Sequence, residues 1–151
     1  MSTLKQTLRD DLTTAIREQD EVRVATLRMV LTAITNEEVA GDVARELSDD
    51  DVQAVLRREA KKRREAATAF ADGGRPERAD RERAEMAVIE GYLPAQLDDA
   101  ALAELVSAAI RDTGAEGMKA MGQVMKAASA AVAGRAEGGR VAAEVRRQLA
   151  Q

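Results

Sequence analysis

Two prolines in 151 residues, Pro76 and Pro94, leave long stretches with nothing to interrupt a helix. Ala, Glu, Arg, Leu and Gln fill those stretches, and all five lose little on entering a helix. A sheet protein would draw on more Val, Ile, Thr and aromatic side chains, yet aromatics are 1% of this chain. The sequence therefore predicts an all-α protein whose core is packed by Leu, Val, Ile, Met and Ala.

Apolar spacing and caps divide the chain. Leu4, Leu8, Leu12, Ala15 and Ile16 make one helical stripe with Ser2 or Thr3 as its cap. Asp20 caps a second segment carrying Val24, Leu27, Val30, Leu31 and Ile34, with Gly41 marking its end, and the two helices should form an antiparallel hairpin. Ser48 with Asp51 approximates a capping box for a third helix through Val52, Val55, Leu56, Ala60, Ala67 and Phe70, stopped at Gly73 and Gly74. Pro76 suits the first turn of a fourth, which carries Met86 and Ile89 and ends near Gly91, because Pro94 disfavours helix at Leu93. After Asp98, a fresh cap, three short segments follow. Leu102 to Ile110 lead to Gly114; Met118, Met121, Val124, Met125 and Ala128 lead to Gly134; Val141, Val145 and Leu149 follow Gly138 and Gly139. The expected architecture is an N-terminal bundle of about four helices over residues 1–96 and a three-helix tail module over residues 97–151.

With no Cys and no His, the chain has no thiolate nucleophile, no imidazole base and none of the commonest zinc, copper or iron ligands. No phosphate-binding glycine loop with its lysine and no nucleophile elbow is present. These exclusions point to binding rather than catalysis, with no catalytic residue, no metal and no cofactor expected. Charges every few positions from the start leave no room for a signal peptide, and no apolar run reaches the roughly 18 residues of a membrane span. Cytoplasm is the expected location, with no membrane partner.

Charge supplies the candidate sites. Residues 1–97 hold 16 basic against 20 acidic groups, residues 98–151 hold seven of each, and within the latter residues 115–151 hold six basic against three acidic. Between Arg57 and Arg64, five of six cations turn away from the apolar stripe over an arc of roughly 160° and form a surface that could contact phosphates. An ordinary solvated helix face is the favoured explanation of them, and a sequence pI near 5.1 argues against a strong nucleic-acid binder. Glu59 and Arg63 are the exceptions: four residues apart, they fall on the apolar side, where ionic groups require partners. Glu82 and Glu85 share the side of Met86 and Ile89, so Arg28, Glu59, Arg63, Glu82 and Glu85 are expected to form a structural polar cluster. The alternatives are a ligand or RNA pocket or a carboxylate metal site, although the di-iron bundle pattern needs histidine. In the tail, Lys119 and Lys126 fall between core methionines and remain free for phosphates or a partner.

Several motifs resemble the YqeY-like family, whose helical modules are shared with the C-terminal part of the B subunit of glutamine-dependent aminoacyl-tRNA amidotransferase. They are Leu27-Arg28-Met29 with Asn36-Glu37, the run from Glu59 to Ala66, Gly73-Gly74-Arg75, the segment Glu90-Gly91-Tyr92-Leu93-Pro94-Ala95-Gln96-Leu97, and in the tail Gly117 to Lys126 and Gly134 to Gly139. The resemblance runs almost end to end. It departs at residues 127–131, where relatives often carry a proline. It implies a module that helps to hold tRNA, with an amidotransferase or synthetase as a possible protein partner. It carries no catalytic residue, because amido transfer takes place in a cradle domain that this sequence lacks. Carbon–nitrogen ligase activity with glutamine as amido-N-donor, which the family name can bring with it, thus belongs to the larger subunit. The RNA contacts it suggests, combined with charge, are Lys61, Lys62 and Arg64 in the third helix and Lys119, Lys126, Arg135 and Arg140 in the tail. A protein-interaction adaptor without nucleic-acid binding is the alternative, and an accessory subunit acting in trans on misacylated tRNA is a third reading.

Overall fold

The computed structural model describes residues 2–151, and among them there are seven α-helices, one 3₁₀ turn and no strand. The chain is all-α. It divides into two compact units, residues 1–94 and residues 95–151.

The first unit contains α1 (Thr3–Glu18), α2 (Glu21–Glu38), α3 (Asp49–Asp72) and α4 (Pro76–Glu90). Ser2 caps α1 by accepting from the Lys5 amide, Asp20 caps α2 through the Arg23 amide, and Ser48 with Asp51 completes a reciprocal capping box on α3. Pro76 occupies the first turn of α4, where its missing N–H costs nothing. Leu8, Leu27, Ile34, Val52, Leu56 and Ile89 are buried together as the heart of the core, with Leu4, Leu12, Met86 and Tyr92 packed around them.

Helix α2 ends at Glu38, before Gly41, because that residue is captured twice. Its backbone carbonyl accepts from the Arg45 amide at 2.9 Å, and its carboxylate takes the Lys5 ammonium at 2.8 Å. Asp49, at the start of α3, bonds the Ser2 hydroxyl and accepts from the Leu4 amide at 3.1 Å, so the third helix helps to cap the first. Helices α3 and α4 form an antiparallel pair across the Gly73–Arg75 turn. Arg78 of α4 lies over the Phe70 ring of α3, 5.4 Å from its centroid, a cation–π contact. The Tyr92 hydroxyl donates to Asp11 on α1 at 2.5 Å and accepts from Arg23 on α2 at 3.2 Å. Burial, and then the bonded Asp11 carboxylate, push the Tyr92 phenol up to about 12.

The second unit contains α5 (Asp99–Thr113), a 3₁₀ turn (Met118–Ala120), α6 (Met121–Val132) and α7 (Gly138–Leu149) around Leu102, Val106, Val124, Val132, Val141 and Val145. Asp98 caps α5 and Gly114 closes it with a left-handed φ of 64°. Gly117, at φ 70° and ψ 176°, turns the chain into the 3₁₀ segment in a conformation that only glycine adopts readily. That tighter turn changes the register, so Met118 is half-exposed rather than aligned with the stripe of Val124 and Ala128. Gly138 and Gly139 are the first residues of α7 rather than a stop before it.

Helix α7 is tied to α5 by Gln148, which accepts from the Ser107 hydroxyl at 2.8 Å and donates to the Ala103 carbonyl at 2.9 Å. Gln148 also donates to Glu144, and the Arg147 guanidinium, together with that amide, holds the Glu144 carboxyl down to about 2. A carboxyl whose folded pKa lies below its unfolded value stabilises the fold above the unfolded pKa, and the contribution is lost as pH falls through the folded one. The stabilisation should thus be complete above about pH 5 and disappear between about pH 4.5 and pH 2. In thermal melts across that range, Glu144→Gln is expected to flatten the acid loss. An unchanged pH profile would show that the Glu144–Arg147 pair contributes nothing to it.

Candidate functional site

The cations of α3 are less available than their count suggests. Arg58 lies 3.2 Å from Glu37, Lys62 3.7 Å from Glu59, and Arg64 3.5 Å from Glu90. Carboxylates from α2, α3 and α4 thus neutralise much of this face. Lys61 is exposed and makes no ion pair among the described residues.

In the tail the four candidates separate into two kinds. Arg135 donates from Nε to the Val132 carbonyl at 3.2 Å and from Nη2 to Ala131 at 3.4 Å, satisfying carbonyls at the end of α6 that the helix cannot. Arg140 donates from Nη2 to the Leu97 carbonyl at 2.9 Å and to Asp99 at 3.0 Å, fastening α7 to the start of α5. Both side chains hold the tail together. Lys119 and Lys126 are exposed, and neither makes a hydrogen bond or ion pair among the described residues. Their ammonium groups are the candidates left free for an external anion.

The glycines nearby fit that reading. A Cβ at Gly122, in the first turn of α6, would meet nothing within 4 Å, and the same is true of Gly138 and Gly139 on α7. Packing does not require these glycines, yet each costs its helix up to about 1 kcal/mol relative to alanine. Helix α6 has no side-chain N-cap and neither helix has an acidic residue in its first turn. At the start of α6 the 3₁₀ turn takes up the Met121 amide, which donates to the Met118 carbonyl, whereas the start of α7 carries no side-chain cap.

Arg111 is a contributor that the sequence reading passed over. It is exposed at the end of α5 and lines, with Arg135, Glu104, Ser107 and Leu97, an open groove of about 660 Å³. In sequence it looks like an ordinary cation complementing the helix C-terminus; only the fold places it along the same groove as Arg135.

The polar cluster forms around Arg63, which is 4% exposed. Its Nη1 donates to the Glu59 carboxylate at 3.1 Å and to the Glu59 carbonyl at 3.0 Å, its Nη2 lies 3.5 Å from the Met29 sulfur, and its Nε is 3.9 Å from Glu85. Arg81, unforeseen in the sequence, approaches the other Glu85 oxygen at 3.7 Å. Arg28 is exposed and Glu82 half-buried, and both stand outside the cluster. One residue of register separates Arg28 from Met29, and it is Met29 that reaches the guanidinium. The cluster faces inward and two carboxylates already partner its cation. No group of three or more potential ligands among the described residues could hold a metal ion.

A family model described as Yqey-like protein matches residues 5–149, nearly the whole chain. No curated protein matches the sequence.

Proposed function

The chain belongs to the Yqey-like protein family, and from that premise we propose that it is a non-catalytic, tRNA- or RNA-associated cytoplasmic protein that engages phosphates through its tail unit. The observation that carries this reading is the pair Lys119 and Lys126, on the 3₁₀ turn and α6, exposed and without a hydrogen bond or ion pair among the described residues. Released counterions drive such binding, so it weakens with salt. A net charge of −4 opposes non-specific attraction to nucleic acid and favours a local contact of modest affinity. On this reading Arg135 and Arg140 hold the tail fold together, and in the α3 set Lys61 is exposed with no ion pair among the described residues. That no helix of the described residues is long and apolar enough to cross a membrane is consistent with the proposed location.

The test is a titration with total tRNA at two salt concentrations, with duplex DNA as control. Saturable, tRNA-preferring binding is expected, and replacing Lys119 and Lys126 with Ala should lower the salt slope by about one per lysine. An unchanged slope in the double variant removes the tail assignment, and no binding at low salt removes the RNA reading.

One observation favours an adaptor instead. Val39 and Val43 are 58% and 79% exposed in the segment between α2 and α3, which also carries Asp42 and Glu46. A protein partner retained after nuclease treatment, and lost on Val43→Asp, would favour that reading over RNA. Support of amidation of misacylated tRNA in trans is a separate third reading, tested by stimulation of the reconstituted amidotransferase.

A further inference from the structure

We propose that Met29 is a peroxide-sensitive modification site whose sulfoxide oxygen is seated by the buried guanidinium of Arg63. Met29 is 53% exposed on α2, so an oxidant in solvent meets its side chain. Met118 is 48% exposed, whereas Met86, Met121 and Met125 are partly buried against the two cores. Among the described methionines, exposure alone thus places Met29 and Met118 first in line.

What distinguishes Met29 is the atom beneath it. Its sulfur lies 3.5 Å from Nη2 of Arg63, whose side chain is 4% exposed. In a guanidinium, Nη2 and the Nε–H point along the same edge, the fork that grips an oxygen acceptor. Here that edge is poorly served: Nε has no hydrogen-bond partner, Glu85 stops at 3.9 Å, and Nη2 meets only a thioether, a weak acceptor. A buried donor left in this state costs free energy.

A two-electron oxidation by hydrogen peroxide changes the balance. The peroxide O–O bond breaks, one oxygen forms an S–O bond with Met29, and the other leaves as water; sulfur is oxidised and peroxide reduced. The product carries a strong acceptor on an atom already within reach of the fork. It is also neutral, which matters because Glu59 and Glu85 beside the guanidinium would repel an anion. Sulfoxide formation in a core disrupts packing. At Met29 the oxygen forms on the solvent-facing lone pair, and rotation about the flexible methionine side chain turns it onto a donor edge that lacks an acceptor, so the modification is accommodated and turns a patch of α2 from apolar to polar, reversibly by methionine sulfoxide reductase.

The test is graded hydrogen peroxide treatment of the full chain, with peptide mapping and two readouts on wild type and Met29→Leu. Met29 is expected to oxidise alongside Met118 and ahead of Met86, Met121 and Met125. In wild type the Arg63 Nε–H resonance should shift and exchange more slowly with water after oxidation, and in Met29→Leu it should not respond. The unfolding transition followed by fluorescence of Tyr92, the single tyrosine, should hold or rise in oxidised wild type relative to treated Met29→Leu. Slower oxidation of Met29 than of the partly buried methionines, an unresponsive Nε–H, or a lowered Tyr92 transition would each overturn the proposal.

Discussion

Arg63→Ala is expected to destabilise the N-terminal unit by about 3 kcal/mol, because removing one partner of a buried ion pair leaves the other charge in a poorly solvated place. Glu59 and Glu85 have side chains only 13% and 10% exposed, and both face the guanidinium that the substitution deletes. The lower end of the range applies because Lys62 and Arg81 still approach them from the rim at 3.7 Å. Urea unfolding followed by Tyr92 fluorescence measures the loss. A change below about 1 kcal/mol would place the pair among weakly contributing surface bridges. The triple replacement Glu59→Leu, Arg63→Met, Glu85→Leu separates specificity from stability. Converting the whole set to apolar side chains is expected to be neutral or stabilising, since no charge is then stranded.

Leu102→Ala is expected to cost the tail unit about 3 kcal/mol, the loss of a buried side chain plus the cavity left behind. Leu102 is 3% exposed in a core otherwise built mainly of Val and Ala, with Leu149 its other buried leucine. Small side chains leave few neighbours able to move into the space. A unit of this length holds roughly 3–8 kcal/mol in all, so the variant should show a substantial unfolded population near physiological temperature. Amide exchange along α5, α6 and α7 measures it, and protection equal to wild type would contradict the estimate. The same variant bears on function. If phosphates are engaged through Lys119 and Lys126, tRNA affinity should fall with the folded fraction of the tail, although neither lysine has been touched.

Much of the fold is legible locally. Ser48 with Asp51, Asp20, Asp98 and Pro76 each act within one helical turn, and each sits where capping chemistry requires it. The burial of Glu59 and Arg63 follows from helical phase alone. Membership of the polar cluster was harder to read, because it depends on how α2 and α4 are rotated against α3. Helical phase on α4 does not separate Glu82 from Glu85, and it offers no reason to prefer Met29 over Arg28. The basic run of α3 shows the same limit: the cations are visible in the sequence, whereas Glu37 and Glu90, which neutralise two of them, come from elsewhere in the chain.

By itself the sequence determined that this protein is helical, where the first five of the seven helices among the described residues begin, which faces are buried, and that imidazole and thiol chemistry are absent. These properties depend on backbone propensity, side-chain period and residue type, all of which act over a few residues. Tertiary structure alone decided which charges are free. It assigned Arg135 and Arg140 to carbonyls within the tail, left Lys119 and Lys126 without partners among the described residues, put Arg111 along the same groove as Arg135, and set Met29 on an unfilled edge of Arg63. A charged side chain reaches several ångströms and takes whichever acceptor the packed neighbours present, so its partner is a property of helix placement rather than of sequence spacing.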